Sequence, residues 1–407
     1  MTSMKTLFTN ARIITPCRIL PLGWSLEITD GKITMLTDNA VDAEHFCGEI
    51  IDAKGYYLSP GFIDMHTHGA GGHDFMDGTL NATLTACRTH MHYGTTSIVP
   101  TTLSSRRDEL IQNLALIDEA AKITDHMPNV LGSHLEGPYF SPAQYGAQDM
   151  RYLKNPDPKE YLPILEQFPS ILKWTLAPEL DGAMEMGRIL RDRGVIASIG
   201  HSDAVENTVE KAIYSGYTMV THLYNASSRL TRKNALMSLG VAESALVYDE
   251  LTAEIIADGC HLPLSLLKLI YKCKGPQRLC LVTDSMRAAG TECTESILGS
   301  LKDGQTVEIA DGVAFMPGRR SFGGSIATAD RLVRTMYRKV GIPLEHAVEM
   351  MTKTPARMLN ILNHKGVIEI GKDADLILFD DDVRIKLVMV GGNLWEDHLK
   401  SGPRSRT

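Results

Sequence analysis

From residue 57 to residue 286 the chain alternates, eight times over, between a short apolar run and a polar or amphipathic stretch. The runs are YLSPGFIDMH, TSIVPTT, NVLGSHLEG, ILKWTLAPE, VIASIGHS, MVTHLYN, AEIIADG and LCLVTDS. Most of the segments between them have helical period, most clearly SRRDELIQNLALIDEAAKI, GAMEMGRILRDRG and DAVENTVEKAIYSG. Strands that alternate with helices specify βα units and a parallel sheet. Eight such units close most naturally into an α/β fold of the (β/α)8 TIM-barrel kind, with an open doubly wound sheet as the alternative.

The two ends of the chain have a different rhythm. SLEITDGKITML (25–36) is two alternating runs joined by Asp30-Gly31, a hairpin signal because both turn positions need positive φ. Near the other end GVIEI, DADLILFD and VRIKLVMVGGNLW also read as strands, with Gly391-Gly392 as a second turn. Their shared character suggests one small β domain assembled from both termini. The expected division is 1–58 with 365–407 for that discontinuous domain and 59–364 for the barrel. Only the tail SGPRSRT has a disordered composition.

Composition removes several classes of function. A net charge of −8 gives no global attraction to nucleic acid or to an anionic membrane. No apolar run approaches the roughly 20 residues that span a bilayer. The first twenty residues contain neither an unbroken apolar h-region nor a small-residue cleavage site, so no signal peptide is expected. Seven scattered cysteines (Cys17, Cys47, Cys87, Cys260, Cys273, Cys280, Cys293) form no CxxC pair, which points to reduced thiols in a cytoplasm.

In a barrel, chemistry belongs at the C-terminal ends of the strands. The first run ends in His66-Thr67-His68, and residues two apart on a strand point to one face. The third ends in His134-Leu135-Glu136, a second same-face pair. The fifth ends in His201, the sixth in His222 and the eighth in Asp284. A lone strand-end histidine is more often structural than a ligand, and an Asp there is often a helix N-cap. Five such ends in one barrel converge on a common centre, and imidazole with carboxylate is the donor set of catalytic zinc or iron. His73, His90 and His92 have no partner legible in the sequence.

With those residues in place, the chain resembles the amidohydrolase superfamily and, within it, the N-acetylglucosamine-6-phosphate deacetylases. PGFIDMHTHG, HLEGP, GHS, THLYNA, ADGCH, LVTDSM and GGS (323–325) occur in the family's order over nearly the whole length. The resemblance implies a (β/α)8 barrel with a small β-sandwich domain formed from both chain termini. It implies hydrolysis of the acetamide of an amino-sugar 6-phosphate, releasing acetate and the free amine. Glu136, His201 and His222 match the family's most constant metal ligands, and His66 and His68 match an HxH that only some members keep. One or two divalent ions per subunit follow, zinc foremost, with iron, manganese and nickel also compatible with the donors. Asp284 matches the catalytic acid/base, which can also touch the HxH-bound ion. Asn225 and Ala226 match the phosphate-contacting turn, and His261 a further substrate ligand. Phe322, Gly323 and Gly324 fall where the family closes around the sugar and acyl group. The implied partner is a small sugar phosphate, in a cytoplasmic homodimer with no nucleic acid and no membrane.

Two segments depart from the family's pattern. Many members have an Arg-Glu-Pro-Gly segment after THLYNA, whose arginine reaches the neighbouring subunit's substrate phosphate. This chain has SSRLTRKNALMSLG, where ungapped counting puts Lys233 at that arginine, with Arg232 and Arg229 close by. Lysine does not reproduce a bidentate guanidinium grip. In GPYFSPAQYGAQ, Ala147 and Gln148 stand where some members use a histidine on the acyl carbonyl, and the Gln148 amide can donate the same bond. These departures leave open N-acetylgalactosamine 6-phosphate or a non-phosphorylated amide; a non-catalytic sugar-phosphate-binding relative is the further alternative, and the intact set of His66, His68, Glu136, His201, His222 and Asp284 argues against it. A cyclic-amide or N-acyl amino acid amidohydrolase is disfavoured, because Lys173 lies too early in its run to be a metal-bridging lysine and Glu136 takes that place.

Overall fold

The computed structural model describes residues 4–399 apart from 17, 40 and 42–44, and the backbone but not the side chain of Lys233. Cys17 and the tail 401–407 thus lie outside the described residues. Each of the eight apolar runs overlaps one barrel strand. They are β1 (Phe62–Thr67), β2 (Thr95–Thr102), β3 (Ser133–Glu136), β4 (Ile171–Leu176), β5 (Ile196–Ile199), β6 (Tyr217–Val220), β7 (Thr252–Ile255) and β8 (Leu279–Leu281). All pair in parallel and in chain order from β1 to β8.

The seam between β8 and β1 sets the open-sheet alternative aside. At its upper end the Asp284 N–H donates to the His66 carbonyl (2.9 Å) and the His68 N–H to the Ser285 carbonyl (2.8 Å). Lower down, the carbonyls of Met350 and Met351 accept from Leu281 and Ile63, so this segment wedges the seam apart. The result is a nearly closed parallel barrel whose final hydrogen bonds are made by the chemistry-bearing residues themselves.

Helices α1 (Leu80–His92), α2 (Arg107–Ala120), α3 (Pro158–Gln167), α4 (Ala183–Asp192), α5 (Glu206–Tyr214), α6 (Val241–Val247), α7 (Leu264–Lys274) and α8 (Ala329–Arg334) follow the strands. Their starts and faces are local consequences of sequence. The Asp157 carboxylate caps α3 by accepting from the Lys159 N–H, with Pro158 in the first turn where no N–H is needed. Helix α4 buries Ala183, Met186, Gly187 and Leu190, a stripe at i, i+3, i+4 and i+7. Gly187 is obligatory there, since a Cβ would come within 2.4 Å of the Tyr217 ring. Among the described residues no helix is long and apolar enough to cross a membrane.

Strands from both ends of the chain share one six-stranded sheet, ordered Asn393–Asp397, Ile385–Val390, Leu376–Phe379, Tyr57–Pro60, Arg12–Ile14 and Ile19–Leu20. A four-stranded sheet of Lys32–Thr37, Ser25–Thr29, Lys5–Thr9 and Glu49–Asp52 lies with it, and Phe8, Leu26 and Ile28 join Ile13, Leu58, Leu376 and Leu387 in one buried cluster. The expected hairpin turns are present: Asp30 and Gly31 have φ of 49° and 77°, and Gly391 and Gly392 of 56° and 79°. GVIEI is a correction. It forms no strand, because Gly366 turns the chain at φ 85° and Gly371 donates to the Ile33 carbonyl, although Val367 and Ile368 are buried. A further antiparallel sheet follows β8, built from Glu295–Leu298, Gln305–Ala310, Val313–Phe315 and Phe322–Ser325. Sequence reasoning missed it, although Asp311-Gly312 between two alternating runs is the same turn signal, here with φ of 52° and 79°.

Phe379, in the terminal sheet, stacks its ring 5.6 Å from Tyr57 and 6.5 Å from Phe62 of β1 and is fully buried. It fastens the barrel's first strand to the terminal strands. Phe379→Ala is expected to cost about 3–5 kcal/mol of unfolding free energy, the range for truncating a buried phenylalanine. Urea denaturation checks this, and a loss below about 1 kcal/mol would show that the ring junction is not a packing joint.

Candidate metal centre and active-site cavity

The strand ends bring six side chains to one point. His66 lies in β1 and His68 one residue past it, while Glu136 ends β3. His201, His222 and Asp284 follow the ends of β5, β6 and β8, with φ of 49°, 28° and 45° respectively. Positive φ is uncommon outside glycine, and three such residues together mark a place where the fold holds backbone against its preference. Glu136 Oε1 lies 2.9 Å from His222 Nε2, 3.3 Å from His201 Nε2 and 3.5 Å from His66 Nε2. Its other oxygen is 3.3 Å from His68 Nε2. Asp284 Oδ1 sits 3.2 Å from His68 Nε2 and 3.4 Å from His66 Nε2.

The tautomers are set from behind. His66 Nδ1–H donates to Glu254 Oε2 (3.0 Å), His68 Nδ1–H to the Thr101 carbonyl (3.2 Å) and His201 Nδ1–H to the Gln144 carbonyl (2.9 Å). Carboxylates and carbonyls only accept, so these three rings carry a proton on Nδ1 and turn Nε2 inward, the atom that a metal would take. His66 Nε2 is fully buried and makes no hydrogen bond among the described residues, and His201 and His222 bring their Nε2 atoms to 3.2 Å of each other. Two ligand groups result, His66 with His68 and Glu136, and Glu136 with His201 and His222. The donor set therefore fits a divalent ion in either position, with Glu136 common to both.

Electrostatics point the same way. Burial by itself would raise the Glu136 and Asp284 carboxyls, but the surrounding imidazoles outweigh it. Glu136 is held well below the usual range and Asp284 down at about 2. Burial pushes the His66 imidazole down. It would lower His68 and His222 as well, yet hydrogen bonds to Asp284 and Glu136 lift His68 to about 10, and the bond to Glu136 lifts His222. Two buried carboxylates demand positive charge at this centre, which protonated imidazole or a bound cation can satisfy.

Above the cluster opens a cavity of about 490 Å³, floored by His68, Glu136, His201, His222 and Asp284. Of the residues expected to touch substrate, Ala147, Gln148, Asn225, Ala226, His261, Phe322 and Gly324 line it. Gln148 accepts the Ser104 N–H (2.9 Å) and donates to Glu136 Oε2 (2.7 Å), which fixes its amide orientation. His261 donates Nδ1–H to Asp258 Oδ2 (2.8 Å), and its ring packs 4.3 Å from Phe322. The inserted sheet delivers Phe322 and Gly324, because the Ser325 N–H donates to the Asp284 carbonyl (2.8 Å). Gly323 belongs to the same strand but does not line the cavity.

The basic segment divides. Arg232 and the backbone of Lys233 lie on the strand Thr231–Lys233 of a short hairpin, and the exposed Arg232 contacts Met237 and is not among the described residues that line the cavity. Arg229 instead lines the cavity, holding the Tyr224 carbonyl (3.1 Å) with its guanidinium 5.9 Å from the Tyr224 ring. It is the one Arg or Lys among the described lining residues. Tyr224 and Ala226 both have positive φ (72° and 42°), and the Asn225 N–H between them donates to the His222 carbonyl (2.9 Å).

The other histidines resolve into supports. His134 does not join its same-face partner Glu136 at the centre. It is buried one layer lower, between Thr101 Oγ1 (3.1 Å) and Thr175 Oγ1 (2.7 Å). His90 binds Thr67 Oγ1 (2.9 Å) beneath the HxH, His92 pairs with Glu396, and His73 stands 3.8 Å from Asp77. Sequence reasoning missed Glu254, which lies inside the apolar-looking run AEIIADG and carried no strand-end signal.

Comparison with known proteins agrees with this geometry. The model of the Amidohydrolase family matches residues 57–395. An N-acetylglucosamine-6-phosphate deacetylase of Bacillus subtilis (strain 168) is 32% identical over 392 residues, covering 95% of this chain and 96% of that protein. An N-acetylgalactosamine-6-phosphate deacetylase of Shewanella sp. (strain ANA-3) is 32% identical over 378 residues, covering 91% of each. The crystal structure of N-acetylglucosamine-6-phosphate deacetylase from Pasteurella multocida superposes with a TM-score of 0.88 at 29% identity, covering 96% of this chain and 99% of that one.

Because Glu136 belongs to both ligand groups, Glu136→Gln is expected to empty both. Elemental analysis of the folded variant should find only a small fraction of the wild-type metal. Undiminished metal would show that Glu136 is not a shared ligand.

Proposed function

This chain belongs to the amidohydrolase family, and from that premise we propose that it hydrolyses the acetamide of an N-acetyl amino-sugar 6-phosphate, N-acetylglucosamine 6-phosphate first among them. The observation that carries the reading is the juxtaposition of two buried imidazole–carboxylate groups with an ionised Asp284 on the floor of one cavity. A divalent metal at these ligands supplies electrophilic polarisation of the amide carbonyl and brings the pKa of water near neutrality. Asp284, held ionised, takes the proton from the attacking water and passes it to the departing amine. Water adds to the acyl carbon, the C–N bond breaks, and acetate and the amine leave. His261, held by Asp258, orients a sugar hydroxyl. Phe322 and Gly324 cover the acyl group and keep bulk water away.

The phosphate is received beside Asn225 and Ala226, which line the cavity together with Arg229, whose guanidinium supplies the charge. The galactosamine reading stands beside the glucosamine one because a relative of equal identity carries that name. Zinc is the proposed metal, in one or two positions per subunit, since imidazole and carboxylate are its usual donors. In this reading the described residues of 1–58 and 365–407 make up a small β-sandwich domain and 59–364 the barrel. The protein is a cytoplasmic homodimer, as the free thiols and the exposed Leu236 and Met237 of the 231–238 hairpin support.

Acetate release from a panel of N-acetylated sugars, with and without 6-phosphate, tests the assignment; no release from any 6-phosphate sinks it. Asp284→Asn should keep most of the metal while turnover drops about 10²–10⁴-fold, the usual contribution of a general acid/base. Arg229→Met should raise KM for the 6-phosphate about tenfold, the scale of a lost charge-assisted hydrogen bond, and leave an unphosphorylated substrate unaffected. An equal effect on both substrates would remove Arg229 from phosphate recognition.

A further inference from the structure

Beneath the cavity, three fully buried side chains from three strands form a chain of contacts. Lys173 of β4 donates to Glu254 Oε1 of β7, and Glu254 Oε2 accepts from His66 Nδ1 of β1 at 3.0 Å. Each of the three has 0% exposure. Neither Lys173 nor Glu254 lines the cavity, so neither can touch substrate or a reacting atom.

Burying such an ion pair needs a reason. Replacing a buried pair by apolar side chains of similar volume is often neutral or stabilising, so stability alone is a weak explanation. Elsewhere at this level the barrel interior holds the Ser198, Thr221 and Thr175 hydroxyls, linked at 2.6 and 2.8 Å and running on to His134, and the buried Asp64 carboxyl, which accepts from Thr283 Oγ1 (2.6 Å). The Lys173–Glu254 pair ends on a single ring. His68 and His201 rest their Nδ1–H on backbone carbonyls, and His222 Nδ1 has no hydrogen-bond partner among the described residues. A carboxylate behind an imidazole fixes its tautomer and raises its strength as a donor, more than a carbonyl does. His66 belongs to one ligand group only, that of His68 and Glu136.

We propose that Lys173 and Glu254 are positioning residues that act through His66 and decide the occupancy of the His66/His68/Glu136 metal position, leaving the Glu136/His201/His222 position to bind independently. Lys173 clamps one oxygen of Glu254, which leaves the other aimed at His66 and keeps the ring edge-on to the centre. This rests on the metal-dependent reading above and adds that the two positions are controlled separately.

The test strips the full-length protein with a chelator and titrates it with Co²⁺, followed by visible absorption and elemental analysis. Lys173→Met combined with Glu254→Gln removes both charges at nearly constant volume, so no unpaired ion is left in the core. Wild type should take up two equivalents. The double variant should bind one at wild-type affinity and the other about 10–100-fold more weakly, the usual effect of removing such a supporting partner. Its titration should match that of a His66→Ala/His68→Ala control. Glu254→Asp keeps the ion pair but is one methylene too short to reach His66, and should weaken the same equivalent. A merely structural pair would lower the unfolding midpoint and leave the titration unchanged. Two equivalents at wild-type affinity in either folded variant overturn the inference, as does equal weakening of both, or a wild type that binds only one. A wild type that binds no metal and releases no acetate overturns the functional reading itself, which is a different result.

Discussion

One carboxylate organises the centre of this protein. Glu136 meets the imidazoles of His222, His201, His66 and His68 within 2.9–3.5 Å, and the four rings come from three different strand ends. No two of those ends are fixed by local sequence relative to each other. They converge because eight parallel strands tilt around one axis, and a carboxylate buried at that axis needs positive partners from every side. The left-handed backbones of His201 and His222 are the cost of aiming such partners inward, and Asp284, which pairs with His66 and His68, is held the same way.

The seam of the barrel and the centre are one structure. The hydrogen bonds that join β8 to β1 are made by Asp284, His66, His68 and Ser285, so closure fixes the separation of Asp284 from the HxH. The same residues receive the inserted sheet through Ser325, which brings Phe322 and Gly324 over the cavity. Charge then sorts the site. Carboxylates and imidazoles form the floor, and the guanidinium of Arg229 and apolar side chains such as Leu262, Leu266 and Phe322 line the rest of the cavity. A ligand with an anionic end and a small polar amide end suits that arrangement.

Much of this architecture is legible in the amino-acid sequence. The eight runs each overlap a strand because short apolar stretches bounded by turn residues have little else they can form at that length. Asp30-Gly31 and Gly391-Gly392 turn where their positive φ allows, and α4 buries the stripe its spacing prescribes. His66, His68, Glu136, His201, His222 and Asp284 are conspicuous because they stand at strand ends. GVIEI misleads because alternation describes burial, and Val367 and Ile368 are buried without being paired. The sheet after β8 is less visible, although Asp311-Gly312 offers the same signal as Asp30-Gly31.

Local patterning in the chain determined the elements, their order, the polarity of their faces and the identity of the groups at the strand ends, since each depends on neighbours a few residues away. Tertiary structure alone decided which of those groups meet. It moved His134 away from the centre and into a hydroxyl network, because His134 sits inside β3, two residues below the strand end at Glu136, whereas His68 has already left β1 and stays beside His66. It set Arg229, and not Arg232, at the cavity. It also linked Lys173 to Glu254 and Glu254 to His66 across 81 and 188 residues of chain, distances over which no sequence period can signal a contact.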